Sequence, residues 1–85
     1  MSAPLNYALA IRTVRAARGM MQHHLAAATG FTPSYVSLLE DGKRSPSIDT
    51  LRRLSSALRV SATALTMLAE GKPVRLCLTD DEVIR

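Results

Sequence analysis

Four glycines, Gly19, Gly30, Gly42 and Gly71, each follow a stretch in which apolar residues return every three or four positions. That spacing puts apolar side chains on one face of a helix, and a glycine just beyond it is a common helix stop. After Pro4, "LNYALAIRTVRAAR" sets Ala8, Ile11 and Val14 on one stripe and ends at Gly19. "QHHLAAAT" reads as a short helix closed by Gly30. In "FTPSYVSLLED", Thr32 is the expected N-cap, Pro33 the first helical residue and Gly42 the stop. Ser47 is placed to cap "IDTLRRLSSALR", where Ile48, Leu51, Leu54 and Leu58 fall at helical spacing and Asp49 suits the positive end. Ser61 caps a last helix, "ATALTMLAE", which Gly71 and Pro73 end. The expectation is an all-α chain of five helices.

Composition agrees. Hydrophobic residues make up 47% of the 85 residues, yet aromatics are 4% and tryptophan is absent. A core built from Leu, Ile, Val, Met and Ala suits packed helices better than a sheet, so Met20, Met21 and Met67 read as core or interface filler. The single cysteine, Cys77, excludes an internal disulfide and fits a reducing compartment. No apolar run reaches the length of a membrane span, and "MSAPLNYALAIR" has no basic segment ahead of its apolar stretch. A cytoplasmic protein is expected.

The final segment, "KPVRLCLTDDEVIR", breaks the helical pattern. Val74, Leu76 and Leu78 alternate with Arg75, Cys77 and Thr79, the period of a strand, which would need a partner such as a second copy of itself. Thr79 before Asp80, Asp81 and Glu82 has instead the spacing of a capping box, giving a short terminal helix. Disorder is the third alternative for such a terminus.

Charge is unevenly spread. Up to residue 60, Arg12, Arg15, Arg18, Lys43, Arg44, Arg52, Arg53 and Arg59 face only Glu40, Asp41 and Asp49; from residue 61 on, three basic residues meet four acidic ones. The first part has the field of a polyanion binder. The third helix is unusual within it. At roughly 100° per residue, Tyr35, Val36, Leu39 and Glu40 form one arc, with Pro33, Ser34, Ser37, Leu38 and Asp41 opposite. An ordinary surface helix carries Lys and Glu on its outer arc; small hydroxyls and one aliphatic side chain suit a helix lying deep in a groove against base edges.

A two-turn helix, a one-glycine turn and a second short helix form a helix-turn-helix. The stretch "IRTVRAARGMMQHHLAAATGFTPSYVSLLEDGKRSPSIDTLRRLSSALRVS" resembles the Cro/repressor-type, or Xre-like, helix-turn-helix family of bacterial and phage regulators. The likeness spans roughly residues 8–68 and rests on an ordered set. Its members are Ile11-Arg12, Arg15, Arg18-Gly19, Gln22, Leu25-Ala26, Gly30, Tyr35-Val36-Ser37, Glu40, Gly42-Lys43, Pro46-Ser47, Leu51 and Ala57-Leu58. The resemblance implies a five-helix lambda-repressor-like fold that binds double-stranded operator DNA, with the helix at about 33–41 in the major groove. It implies base-reading positions at Pro33, Ser34, Ser37 and Leu38, and phosphate contacts from Gln22, Thr32, Lys43 and Arg44. Tyr35 stands where its hydroxyl reaches the backbone or where its ring fills the core. Arg15 and Glu40 are implied as a structural ion pair locking the first helix to the third.

The chain also departs from the family. Met21 stands where Ser or Thr usually caps the second helix, an absence worth ~1 kcal/mol. No Arg, Gln or Asn occupies a reading position, so bidentate recognition of guanine or adenine is missing there, and specificity should lean on serine and methyl contacts, water and DNA shape.

Other constellations carry less. His23 and His24 are consecutive and diverge by about 100° on a helix, which does not close on one ion. Asp80, Asp81 and Glu82 have no matching acid or phosphate cradle for Mg²⁺. No Ser, Cys or Thr sits in a motif with a base and oxyanion donors, so no enzyme is expected and no cofactor or metal. The expectation is a DNA-binding domain at residues 1–70 with a dimerisation segment at 71–85, acting as a homodimeric repressor or autoregulator. An antitoxin, or another module whose fold holds a partner protein such as a toxin, is the alternative.

Overall fold

The computed structural model describes residues 5–74. They hold five helices, α1 (Tyr7–Ala17), α2 (Gln22–Thr29), α3 (Pro33–Glu40), α4 (Ile48–Leu58) and α5 (Ala62–Ala69), and among the described residues there is no strand. The all-α, five-helix expectation is met. The strand or terminal helix expected in the tail falls essentially on residues 75–85, outside those described.

Side-chain caps set most of the helix starts. The hydroxyls of Thr32, Ser47 and Ser61 accept the N–H groups of Tyr35 at 3.1 Å, Thr50 at 3.1 Å and Ala64 at 2.9 Å. Asn6 Oδ1 does the same for Leu9 at 3.0 Å, so α1 begins at Tyr7 and not directly after Pro4. Met21 precedes α2, and the deficit expected there is partly met from inside the helix: His24 Nδ1 accepts the Met21 N–H at 3.0 Å.

Ile11, Val14, Leu25, Val36, Leu39, Leu54, Leu58 and Leu65 are each less than 2% exposed and form one core. Ala10 completes the buried stripe of α1, while Ala8 is only half-buried. Two expected core residues lie outside. Ile48 is 73% exposed, because Thr50, held by Ser47 and facing Tyr35, takes the inward place in the first turn of α4. Met21 is 58% exposed, since it precedes the first turn of α2 and the core is sealed there by Met20 instead. α1 packs against α5 and α3, and α2 against α3 and α4, so α3 sits between α1 and α2. Asn6 N–H to the Ala69 carbonyl (2.8 Å) and Tyr7 Oη to Thr66 Oγ1 (2.9 Å) join the start of α1 to α5.

Candidate nucleic-acid interface

The turn between α2 and α3 is built by Gly30, whose φ of +80° is open to glycine without a side-chain clash. Its N–H and that of Phe31 both reach the Ala26 carbonyl, at 2.9 and 3.1 Å, which closes α2 before Thr32 opens α3 in extended conformation. The two arcs expected for α3 separate as the sequence implies. Val36, Leu39 and Glu40 are buried; Thr32, Pro33 and Ser34 are exposed; Ser37 and Leu38 are half-buried beside them. The outer face of α3 therefore presents two small hydroxyls, a proline ring and an aliphatic side chain, with Asp41 at its end.

Behind that face lies the ion pair. Arg15 grips Glu40 with both ends of its fork, Nε to Oε2 at 2.6 Å and Nη2 to Oε1 at 2.9 Å, and Nη1 donates to the Met20 carbonyl at 2.8 Å. Such bidentate geometry is the strong form of this contact. The Glu40 side chain is 2% exposed and that of Arg15 17%, so solvent screens the pair little. The Arg15 guanidinium is held above its ordinary value, first by hydrogen bonding to Glu40; burial opposes this and the Glu40 charge adds to it. Because the folded value is raised, the contribution of this group is fully present below the unfolded arginine value. It is lost only as pH rises through the folded one, far above neutrality.

Gln22 joins this network. Its Nε2 donates to Glu40 Oε1 at 3.1 Å, so one amide N–H is committed inward and the other is left at the start of α2. α1, α2 and α3 thus meet at a single carboxylate, a three-way junction beyond the two-residue pair read from sequence.

On the far side of α3, Lys43 and Arg44 are exposed, and their backbone N–H groups fold back on the Leu38 carbonyl at 3.0 and 3.3 Å. The Arg44 guanidinium carbon stands 5.6 Å from the centre of the half-buried Tyr35 ring. Tyr35 Oη lies 3.4 Å from Thr50 Oγ1, so its hydroxyl is directed toward α4. All nine residues named from sequence as DNA contacts therefore belong to α3, its two flanks or the start of α2. Sequence reasoning passed over the Phe31 ring, which meets Tyr35 edge to face at 4.9 Å, and the arginine stacked on it from α4, Arg53. Nothing in local sequence pairs residues 22 positions apart; basic residues one turn apart on α4 were the available signal.

Elsewhere, the His23 and His24 rings lie 4.2 Å apart, and His24 is occupied by the Met21 N–H. Among the described residues no group of three His, Cys, Asp or Glu side chains could hold a metal ion. No helix among them is long and apolar enough to cross a membrane.

A family profile described as helix-turn-helix matches residues 11–65. An uncharacterized HTH-type transcriptional regulator, y4dJ, of Sinorhizobium fredii (strain NGR234) is 37% identical over 60 residues, covering 71% of this chain and 78% of that protein. Among solved structures, the clp gene regulator ClgR from C. glutamicum superposes with a TM-score of 0.75 at 32% identity, covering 78% of this chain and 86% of that one. The restriction-modification controller protein C.AhdI from Aeromonas hydrophila gives 0.69 at 31% identity, covering 72% and 92%.

Proposed function

The chain belongs to the helix-turn-helix family, and from that premise we propose that it is a sequence-specific DNA-binding transcriptional regulator that lays α3 in the major groove. One observation carries the reading. The exposed arc of an eight-residue helix holds Pro33, Ser34, Ser37 and Leu38 with no long charged side chain, while Lys43 and Arg44 stand immediately beyond it. Short side chains let the helix approach base edges, where the serines donate or accept and Leu38 meets thymine methyl groups. The flanking cations fix the helix against phosphates without reading sequence. Gln22 and Thr32 serve the phosphates on the opposite wall, where the α2 and α3 N-termini concentrate unpaired N–H groups. The relatives support this reading, one named as a transcriptional regulator and others as a gene regulator and a controller protein.

The protein acts in the cytoplasm as a homodimer, with residues 1–70 as the DNA-binding unit and α5 with residues 71–85 as the dimerisation segment. A dimer making six to ten phosphate contacts loses about 10³–10⁵ in affinity between 50 and 200 mM salt, and its half-sites lie about 34–36 Å apart. Repression, including of its own promoter, is the regulatory outcome.

Selection of bound duplexes from a random pool tests the assignment. Ser34→Ala and Ser37→Ala should change the recovered consensus, whereas Lys43→Ala should weaken every sequence alike. A consensus unmoved by both serine changes would remove α3 as the reading element. Sedimentation of the full chain beside residues 1–70 tests the dimer.

A further inference from the structure

A second arginine stands beside α3, on α4, that the reading above does not use. The Arg53 guanidinium carbon lies 5.7 Å from the centre of the Phe31 ring. Phe31 meets Tyr35 at 4.9 Å with ring planes 79° apart, and Arg44 lies 5.6 Å from the Tyr35 ring on the other side. Four side chains therefore alternate as cation, ring, ring, cation. Phe31 immediately precedes the cap of α3 and Tyr35 is four residues on, so the rings climb α3 by about one turn. They do so on its α4 side, where Tyr35 faces Thr50. On the helix wheel Tyr35 borders Leu38, so this stack runs along the edge of the uncharged face with an exposed guanidinium at either end.

We propose that Arg53 is a second phosphate anchor, binding with Arg44 the same DNA strand along the α4 side of α3. The proposal rests on the DNA-binding reading and deepens it. The three steps of the stack bound the separation of the two guanidinium carbons at about 16 Å, a reach of a few nucleotides on a strand that advances 3.4 Å per residue. A guanidinium lying on an aromatic ring keeps its donors free at the rim and loses less rotamer freedom when it binds. Its present acidic partner is easily displaced: Arg53 Nε is 3.3 Å from Asp49 Oδ2, with side chains 53% and 76% exposed, and such surface pairs are worth little. A phosphate takes over the role that Asp49 plays in the free protein.

The test uses the full chain and two duplexes of equal length, the selected sequence and a scrambled one, titrated across a salt series. One lost phosphate contact flattens the salt slope by about 0.9 and lowers affinity about eightfold at 0.1 M salt, relative to a 1 M reference. Arg53→Ala should do this per bound protomer, equally on both duplexes, with an unchanged melting temperature because the residue is exposed. Asp49→Asn should tighten binding in the native background and much less when Arg53 is alanine. Arg52→Ala removes the same charge one position away and should flatten the slope less. An unchanged slope for Arg53→Ala, or an equal effect of Arg52→Ala, overturns the assignment while leaving DNA binding intact. A native chain that binds neither duplex overturns the DNA reading itself.

Discussion

Replacing Glu40 with glutamine keeps the shape of the side chain and removes its charge, which isolates the electrostatics of the α1–α2–α3 junction. In the native protein this carboxylate is 2% exposed and accepts three bonds, two from Arg15 and one from Gln22. Breaking a buried pair by removing one partner typically destabilises by 3–5 kcal/mol, because the remaining charge is stranded. Arg15 retains 17% exposure and its bond to the Met20 carbonyl, which places the expected loss near the lower end, about 3 kcal/mol. A chain of this size has a total stability of roughly 4–13 kcal/mol, so the loss is a large share of it. In melting temperature it corresponds to roughly 12–24 °C. Circular dichroism followed through urea and thermal unfolding reads both quantities. The paired change Arg15→Met with Glu40→Leu should recover stability to within about 1 kcal/mol of the native chain, since no charge is then stranded. A loss under about 1 kcal/mol for Glu40→Gln, or a double variant no better than the single, would refute the stranded-charge argument.

Arg59 ends α4 at φ +59°, the one non-glycine residue with positive φ among those described; Arg59→Gly should stabilise by about 0.5–1 kcal/mol, seen as a higher urea midpoint, and a lower midpoint would contradict it. Arg18 donates from Nε to the Leu58 carbonyl at 2.9 Å and from Nη2 to that of Arg59 at 3.0 Å. Arg18→Ala should therefore cost about 1–2 kcal/mol by uncapping α4, with amide exchange accelerated first in its last turn. His24→Ala should cost about 0.5–1 kcal/mol by leaving the Met21 N–H unpaired. An unaltered unfolding midpoint would show that water caps α2 as well as the imidazole does.

What could be read in advance, and what could not, divides by the range of the interaction. Thr32, Pro33, Ser47 and Ser61 announce helix starts because capping is settled within three residues, and Gly30 announces a stop for the same reason. The outer arc of α3 was legible because helical angle depends only on spacing. Ile48 misled because its spacing from Leu51 fits an apolar stripe, yet a hydroxyl network around Thr50 competes for that turn. His24 was overlooked because the search for a cap looked for an oxygen before the helix and not for an acceptor inside its first turn. Arg18 on the end of α4 and Arg53 on Phe31 are tertiary contacts across 40 and 22 positions, for which no local pattern exists.

The contacts around α3 also say why so small a helix can be the working element. Eight residues form too few hydrogen bonds to persist alone in water, so its rigidity must come from its neighbours. On one side Glu40 ties its last turn to α1 and α2; on the other Phe31 and Tyr35 tie its first turn to α4 and to the loop bearing Arg44. The restraints are ionic and buried on the first side, aromatic and half-exposed on the second. Perturbing Glu40 should therefore unfold the domain before it changes which DNA is bound, whereas perturbing the aromatic stack should loosen the grip on phosphates in a folded protein. Measured together, melting temperature and salt slope separate the two: the Glu40 variant moves the first and the Arg53 variant the second. Both variants moving both quantities would mean that α3 is held by one cooperative network, and that its two flanks cannot be assigned different work.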